Sequence, residues 1–225
     1  GVSSKSAEGS SRVKIGETEV VAGVKLDIGD PYPDTPEQGN LVVNVELAAM
    51  SSPEFESGPP NIDAIEMARI VDRGIRESGC IDLKKLCIKK GELIWMVYVD
   101  VYTINDAGNL YDACALAAVA ALKDAKLPKY SEKEKKVLYD QRTSKELPLK
   151  DIPISMTLIK IKDKILVDPT TEEEKSTEAR LTVATLEDGT VCALQKGEDS
   201  ILDIKDVKHM VELAIKKSKD LRKVL

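Results

Sequence analysis

Three arginines on one predicted helix carry the most specific chemistry of the sequence. In the segment AIEMARIVDRGIRES, Arg69, Arg73 and Arg76 are separated by four and three residues, so a helix places them on one strip. A planar guanidinium can bind two phosphate oxygens at once, and it stays charged at any workable pH. The strip is therefore suited to binding a polyanion such as RNA.

Ion pairs within the same helix are the alternative role for these arginines. Glu66 lies three residues before Arg69, and Asp72 lies four residues before Arg76. Spacing alone favours these pairs over ligand binding. Arg73 has the weakest local partner, so it is the best outward-facing ligand group of the three.

A second candidate is a pair of acids, Asp168 and Glu174. Asp168 ends a predicted strand, and Glu174 follows six residues later. Carboxylates at the end of a strand can hold a metal or donate a proton. Acids in such a run more often start a solvated helix, where they favour the positive end of the dipole. The helix role is favoured for Glu172 and Glu173, whereas the two roles are balanced for Asp168.

The residue inventory excludes the familiar catalytic sets. His209 is the single histidine and falls on the lysine-rich face of the last predicted helix, which predicts a surface position and excludes Ser-His and Cys-His catalysis. The sequence contains no P-loop, GxGxxG or HExxH motif. The cysteines lack C-x-x-C spacing and are predicted to be buried, reduced thiols: Cys80, Cys87, Cys114 and Cys192. We therefore expect no metal and no cofactor.

Bulk composition limits how nucleic acid could be bound. The chain has 225 residues, 42% hydrophobic and 32% charged, with a formal net charge of −6. Non-specific phosphate binding needs a basic surface, so any contact with RNA must be a local patch. No apolar stretch is long enough to span a bilayer and no signal peptide is recognisable, which predicts a cytoplasmic protein without a membrane partner.

The elements that must position these residues form two α/β halves, each with strands followed by a helix. In the first half, strands are predicted at 11–15, 19–28, 41–49 and 93–104, with helices at about 63–78 and 112–126. In the second half, strands are predicted at 154–161, 164–167, 180–186 and 191–195, with a helix at about 203–222. The predicted domains are 1–127, a connecting segment of edge strands and loop at 128–153, and 154–225.

Helix starts and buried faces follow from the same patterns. Asp63, three residues before Glu66, is predicted to cap the first helix, and Asp112 to cap the second. The predicted core face of the first helix consists of Ile65, Ala68, Val71 and Ile75. That of the last helix consists of Ile204, Val207, Val211, Ala214 and Leu221.

One long run of sequence resembles a known family. GDPYPDTPEQGNLVVNVELAAMSSPEFESGPPNIDAIEMARIVDRGIRES resembles the non-catalytic ribonuclease PH-like ring subunit of the archaeal exosome. The stretches WMVYVDVYTINDAGNLYDACALAAVAAL, PISMTLIKIKDKILVDPTTEEE and VCALQKG extend the similarity over essentially the whole chain. The family's N-terminal segment, with its lead helix and D-G-R motif, is expected to be missing here.

The resemblance implies a fold, partners and roles. It implies the ribonuclease PH fold, an α/β (α+β) arrangement of two βαβ-type halves with mixed sheets and packed helices. The subunit would pair with a catalytic relative, and three pairs would close a hexameric ring that carries RNA-binding cap subunits. RNA would be shortened from its 3′ end by phosphate. The ARxVDR pattern places the family's RNA-binding arginines at Arg69 and Arg73, which leaves Arg76 the doubtful member.

Two departures from catalytic relatives predict a subunit without chemistry of its own. Those relatives use two aspartates six residues apart, and here the positions read Asp168 and Glu174, so the second acid is longer. Their phosphate-binding side chains are not recognisable in GNLYDACALA. The chain is thus expected to be no enzyme by itself. The alternatives are a phosphorolytic 3′-to-5′ exoribonuclease that uses Asp168 as its acid, and a purely structural module whose arginines form only ion pairs.

Overall fold

The computed structural model of the chain describes residue 4 and residues 6–225, and for Arg142 the backbone alone. The first half contains β1 (Gly9–Ile15), β2 (Thr18–Gly29), β3 (Asn40–Glu46), α1 (Ile62–Glu77), β4 (Cys87–Lys89), β5 (Leu93–Asn105) and α2 (Leu110–Asp124). A hairpin of β6 (Lys126–Ser131) and β7 (Lys136–Glu146) follows. The second half contains β8 (Ile154–Ile161), β9 (Lys164–Val167), α3 (Thr171–Glu174), β10 (Ala179–Thr185), β11 (Val191–Gly197) and α4 (Ile204–Arg222).

The first sheet contains both parallel and antiparallel pairs, and one of its faces lines the main core. Its strand order is β1-β2-β5-β3, with β4 also paired to β5. Strands β1, β2 and β5 are antiparallel, whereas β3 runs parallel to β5 and forms an edge. Alternate valines of β2 and β5 point inward, as the pleat of a half-buried sheet requires. The apolar helix α2 packs against this inner face and is buried on nearly every side.

The second sheet has the order β11-β10-β8-β9, and every pair in it is antiparallel. It is therefore not mixed, unlike the sheet of the first half. Helix α4 covers one face, where Met210 and Ala214 pack on Leu158 and Val183. The opposite face contacts α1 and α2, so these two helices join the halves of the molecule.

Both predicted helix caps are wrong by a few residues. Asn61 caps α1, because its Oδ1 accepts a hydrogen bond from the Ala64 amide at 2.9 Å. Asp63 lies inside the first turn, where it favours the helix dipole without capping. Helix α2 begins after Asn109, and Asp112 is a buried residue of its first turn.

The predicted buried faces hold in part. Val71 and Ile75 are buried in α1, but Ile65 is 49% exposed. The reason is that α1 lies between two sheets, so its buried arc runs through Ala64, Met67 and Ile70 instead. In α4, Ala214 is buried as predicted, whereas Ile204 in the first turn is 75% exposed.

The single histidine and the four cysteines lie mostly where the sequence predicts. His209 is exposed on α4, as expected. The four cysteines are free thiols; Cys80 and Cys114 are fully buried, while Cys87 and Cys192 are half-buried. Among the helices of the described residues, none combines the length and apolar character needed to cross a bilayer.

Candidate nucleic-acid interface

Helix α1 is held between two strand edges, β3 of the first sheet and β11 of the second. Gly74 lets the helix approach the second sheet closely, since a Cβ at this position would lie 3.3 Å from the Ser155 hydroxyl oxygen. Gly79 ends the helical path with a φ of +64°, which favours glycine. The close packing at Gly74 turns one face of α1 toward the second sheet.

Arg76 is bound within the chain. Its Nε and Nη2 donate to the two carboxylate oxygens of Asp72 at 3.0 and 2.7 Å, and Nη2 also donates to the Leu41 carbonyl at 2.9 Å. The hydrogen bond to Asp72 raises the pKa of the Arg76 guanidinium. The predicted pair of Asp72 and Arg76 is therefore confirmed. Since Leu41 lies on β3, Arg76 fastens α1 to an edge strand.

The predicted pair of Glu66 and Arg69 is wrong. The Glu66 carboxylate instead accepts from Arg180 Nη2 at 2.8 Å and from the Tyr111 hydroxyl at 3.2 Å. The Arg180 side chain is only 6% exposed, and its guanidinium carbon lies 3.9 Å from the centre of the Tyr111 ring. A buried cation needs a counter-ion more than an exposed one does, so Glu66 turns toward the core.

Arg69 and Arg73 remain without a carboxylate partner in the described part of the chain. Both side chains are exposed. Arg73 Nη1 donates to Gln195 Oε1 at 3.0 Å, whereas no hydrogen bond or ion pair of Arg69 is found among the described residues. These two guanidinium groups are the uncompensated charges of the strip.

An open groove of about 960 Å³ runs along α1, and all three arginines line it. Residues 41–45 of β3, Tyr32 and Gln195 form other parts of its wall. The carboxylates of Glu66 and Asp72 also face the groove, but both already pair with arginines. Glu77 contributes a further carboxylate at the last turn of α1. The free positive charge is thus concentrated at Arg69 and Arg73.

The acids Asp168 and Glu174 meet at a single residue, Asn109. The side-chain Nδ2 of Asn109 donates to Asp168 Oδ1 at 2.9 Å, and the backbone N–H of Asn109 donates to Glu174 Oε1 at 2.9 Å. Burial raises the pKa of Glu174, an effect that the hydrogen bond from Asn109 opposes. At Gly108, a Cβ would lie 2.3 Å from the Pro169 carbonyl oxygen, so the turns before α2 and α3 touch backbone to backbone. The acids therefore join the two halves.

Asp112 is a titratable group that the sequence placed wrongly, as a cap. Its side chain faces the seam between α2 and β8, and the residue is 1% exposed. Burial raises the pKa of its carboxyl group to about 7, and the nearby side chains of Thr157 and Asn109 partly offset this. Such a group is neutral for part of the physiological pH range.

Two residues near the arginine strip, Gln195 and Arg180, were not predicted from the sequence. Arg180 could have been noticed, because it is the one charged residue of the strand ARLTVAT, whose other side chains are uncharged. Gln195 carries no such signal, since its contact with Arg73 spans 122 residues. The described residues contain no group of three or more His, Cys, Asp or Glu side chains that could hold a metal ion.

Comparison with known proteins gives matches over most of this chain. The family model described as 3′ exoribonuclease family, domain 1 matches residues 1–128, and the model for domain 2 matches residues 151–217. The chain is 46% identical over 219 residues to the exosome complex component Rrp42 of Methanocella arvoryzae, covering 97% of this chain and 82% of that protein.

Solved structures agree in fold. A chain of the Archaeoglobus fulgidus exosome with RNA bound to the active site is 44% identical, with a TM-score of 0.89, over 99% of this chain and 85% of that one. A chain of an archaeal exosome core is 42% identical, with a TM-score of 0.85, over 98% and 82% of the two chains. The resemblance read from the sequence is confirmed, and so is the ribonuclease PH fold. The chain belongs to the 3′ exoribonuclease family, the family of ribonuclease PH.

Proposed function

We propose that this chain is a non-catalytic ring subunit of an archaeal exosome that binds RNA through α1 and completes the active site of a catalytic partner. One observation carries the proposal. Arg69 and Arg73 are exposed in an open groove without counter-ions, whereas Asp168 and Glu174 both accept hydrogen bonds from Asn109 within the chain. The two arginines can therefore bind a ligand as they stand. The two acids could contact a ligand only after their hydrogen bonds to Asn109 were broken.

RNA is the polyanion that fits the groove. Guanidinium groups two helical turns or less apart can contact successive phosphates of an extended strand, and such contacts carry no sequence information. Local positive charge on an acidic protein also fits a substrate that is held at one place only. Relatives named exosome complex component, and a structure 44% identical that is described with RNA bound, support this reading.

The internal bonds of the acid pair support a non-catalytic role. A general acid must reach the bond that it protonates, within hydrogen-bond distance or through one water. Asp168 and Glu174 both accept hydrogen bonds from Asn109 instead. The extra methylene of Glu174 brings its carboxylate to the first amide before α2, where an anion is favoured by the helix dipole. Both degenerate acids thus act as structural groups.

A catalytic ribonuclease PH-like subunit is the proposed partner, in a hexamer built as a trimer of dimers with RNA-binding cap subunits above it. The names of the relatives support an exosome assembly. We propose the domain limits 1–127, 128–153 and 154–225, with the β6–β7 hairpin in the connecting segment. A cytoplasmic location remains a prediction.

Reconstitution tests the proposal. The chain is mixed with a catalytic relative, the mass of the assembly is measured, and phosphate-dependent shortening of a single-stranded RNA is assayed with and without the Arg69→Ala/Arg73→Ala double variant. We expect a hexamer whose RNA affinity and salt dependence both fall in the variant. Arg12→Ala is the matched control, because Arg12 lies on β1, at the opposite edge of the first sheet from β3, where it pairs with Glu19 of β2. Phosphorolysis by this chain alone that Asp168→Asn abolishes would contradict the non-catalytic role.

A further inference from the structure

We propose that Gln195 is a positioning residue that holds the Arg73 guanidinium toward RNA without neutralising its charge. This inference rests on the proposed function, since it assigns a supporting group to the same RNA contact. Gln195 lies in the second half of the chain, on β11, whereas Arg73 lies on α1. The contact therefore makes the orientation of an RNA-binding side chain depend on how the two halves are joined.

The geometry fixes the glutamine amide from two sides. Its Oε1 accepts from Arg73 Nη1 at 3.0 Å, and its Nε2 donates to the Lys196 carbonyl at 3.3 Å. The backbone of Gln195 is paired with Thr182 in the sheet, so the base of the side chain is also held. An amide that donates at one end presents its oxygen at the other, which is the end that faces Arg73.

The chemistry of the acceptor separates Arg73 from Arg76 and Arg180. Arg76 is bound by the carboxylate of Asp72 and Arg180 by that of Glu66, and both charges are thereby compensated. Gln195 is neutral and accepts one hydrogen bond. Arg73 keeps its full charge and its other donors, which are what a phosphate group binds.

Positioning a long side chain before binding reduces the entropic cost of binding. A free arginine on a helix surface samples many rotamers, and each immobilised side chain of this kind weakens binding by a factor of about two to ten. With Gln195 in place, part of that cost is met during folding. Loss of the amide should therefore weaken RNA binding although no RNA contact is removed.

The experiment is a double-mutant cycle in the complex reconstituted with the catalytic subunit. Affinity for a labelled single-stranded RNA is measured over a range of salt concentrations for Arg73→Ala, Gln195→Ala, the double variant and Gln195→Glu. We expect Gln195→Ala to weaken binding about threefold and to have no further effect once Arg73 is alanine. Gln195→Glu should weaken binding more than alanine does and lower the salt slope by up to about 0.7, because a carboxylate neutralises Arg73.

The outcomes are distinguishable. Gln141→Ala on β7 controls for loss of an exposed amide, and unchanged thermal unfolding of each variant excludes a folding defect. If Arg73→Ala weakens binding but Gln195→Ala does not, positioning by Gln195 is refuted while the proposed function stands. Additive losses in the double variant would mean that Gln195 contacts RNA itself, which also overturns the inference. If Arg73→Ala leaves affinity and salt slope unchanged, the RNA contact itself is wrong.

Discussion

Asn109 and Asp168 face each other in left-handed backbone conformations, with φ values of 55° and 57°, and the Asn109 amide group donates to the Asp168 carboxylate at 2.9 Å. Left-handed conformations are unfavourable for most L-residues, and Asn and Asp are among the few that tolerate them. Two such residues bonded across the seam of the molecule form a clasp between α2 and the strand end of β9. The clasp therefore acts as a structural joint between the two halves.

The clasp predicts different effects for two substitutions of Asn109. Asn109→Ala removes the side-chain hydrogen bond to Asp168. It also places an alanine, which tolerates positive φ poorly, at this left-handed position. Together these effects should lower the free energy of unfolding by about 2–3 kcal/mol. Asn109→Gly loses the same bond but tolerates the conformation, so its loss should be about 1 kcal/mol smaller. Urea unfolding measures both. Equal losses would mean that the left-handed backbone contributes nothing.

A second prediction concerns the buried pair of Glu66 and Arg180. Glu66→Gln leaves a guanidinium that is 6% exposed without its nearest counter-ion, and the remaining carboxylate of Glu198 lies 3.8 Å from Arg180 Nε. We expect a loss of about 2–4 kcal/mol in the free energy of unfolding, measured by urea titration.

The matched control for this prediction is Glu54→Gln. Glu54 forms an ion pair with Lys175 in which both side chains are well exposed, so its loss should leave the unfolding midpoint unchanged. A similar shift for both variants would show that burial of Arg180 does not decide the effect.

Whether the sequence predicts a contact depends on how far apart the two residues lie along the chain. The arginine strip and the pair of Asp72 and Arg76 are local, and spacing predicts both of them. The partners of Arg73 and Arg180 are not predictable in this way, because each contact joins residues more than a hundred positions apart.

The wrong predictions have similar physical causes. Asn61 and Asp63 can both cap a helix, and spacing to Glu66 favoured the wrong one because it ignores where the chain enters the helix. The sequence predicts Asp112 as the cap of the second helix, whereas α2 begins before it and packing against β8 buries it. Ile65 is exposed because α1 packs on two sheets, which no single-helix pattern describes.

Asp112 should make stability depend on pH. Its pKa is raised to about 7 by burial, above the usual value of an unfolded aspartate, so the folded chain binds the proton more tightly than the unfolded chain does. Stability from this group is full at low pH and is lost as pH rises from about 4 to about 7. The nearby Asp168 carboxylate adds to the shift.

Asp112→Asn should therefore be more stable than the natural chain at about pH 8, by on the order of a few kcal/mol, with the difference shrinking toward about pH 5. Urea unfolding at a series of pH values measures it. Asp163→Asn, at an exposed position, is the control and should show no such trend. A difference between Asp112→Asn and the natural chain that stays constant with pH would contradict titration of Asp112 in this range.

Arg76 and Arg73 should separate stability from RNA binding, although they lie three residues apart on one helix. Arg76→Ala removes bonds to Asp72 and to the Leu41 carbonyl, so it should lower the free energy of unfolding by about 1–2 kcal/mol and leave the salt slope of RNA binding in the reconstituted complex unchanged. Arg73→Ala should do the reverse, with near-natural stability and a slope reduced by about 0.7, because one phosphate contact is lost. If Arg76→Ala lowers the slope as much as Arg73→Ala does, the carboxylate of Asp72 does not withdraw Arg76 from the ligand. All three arginines would then bind RNA.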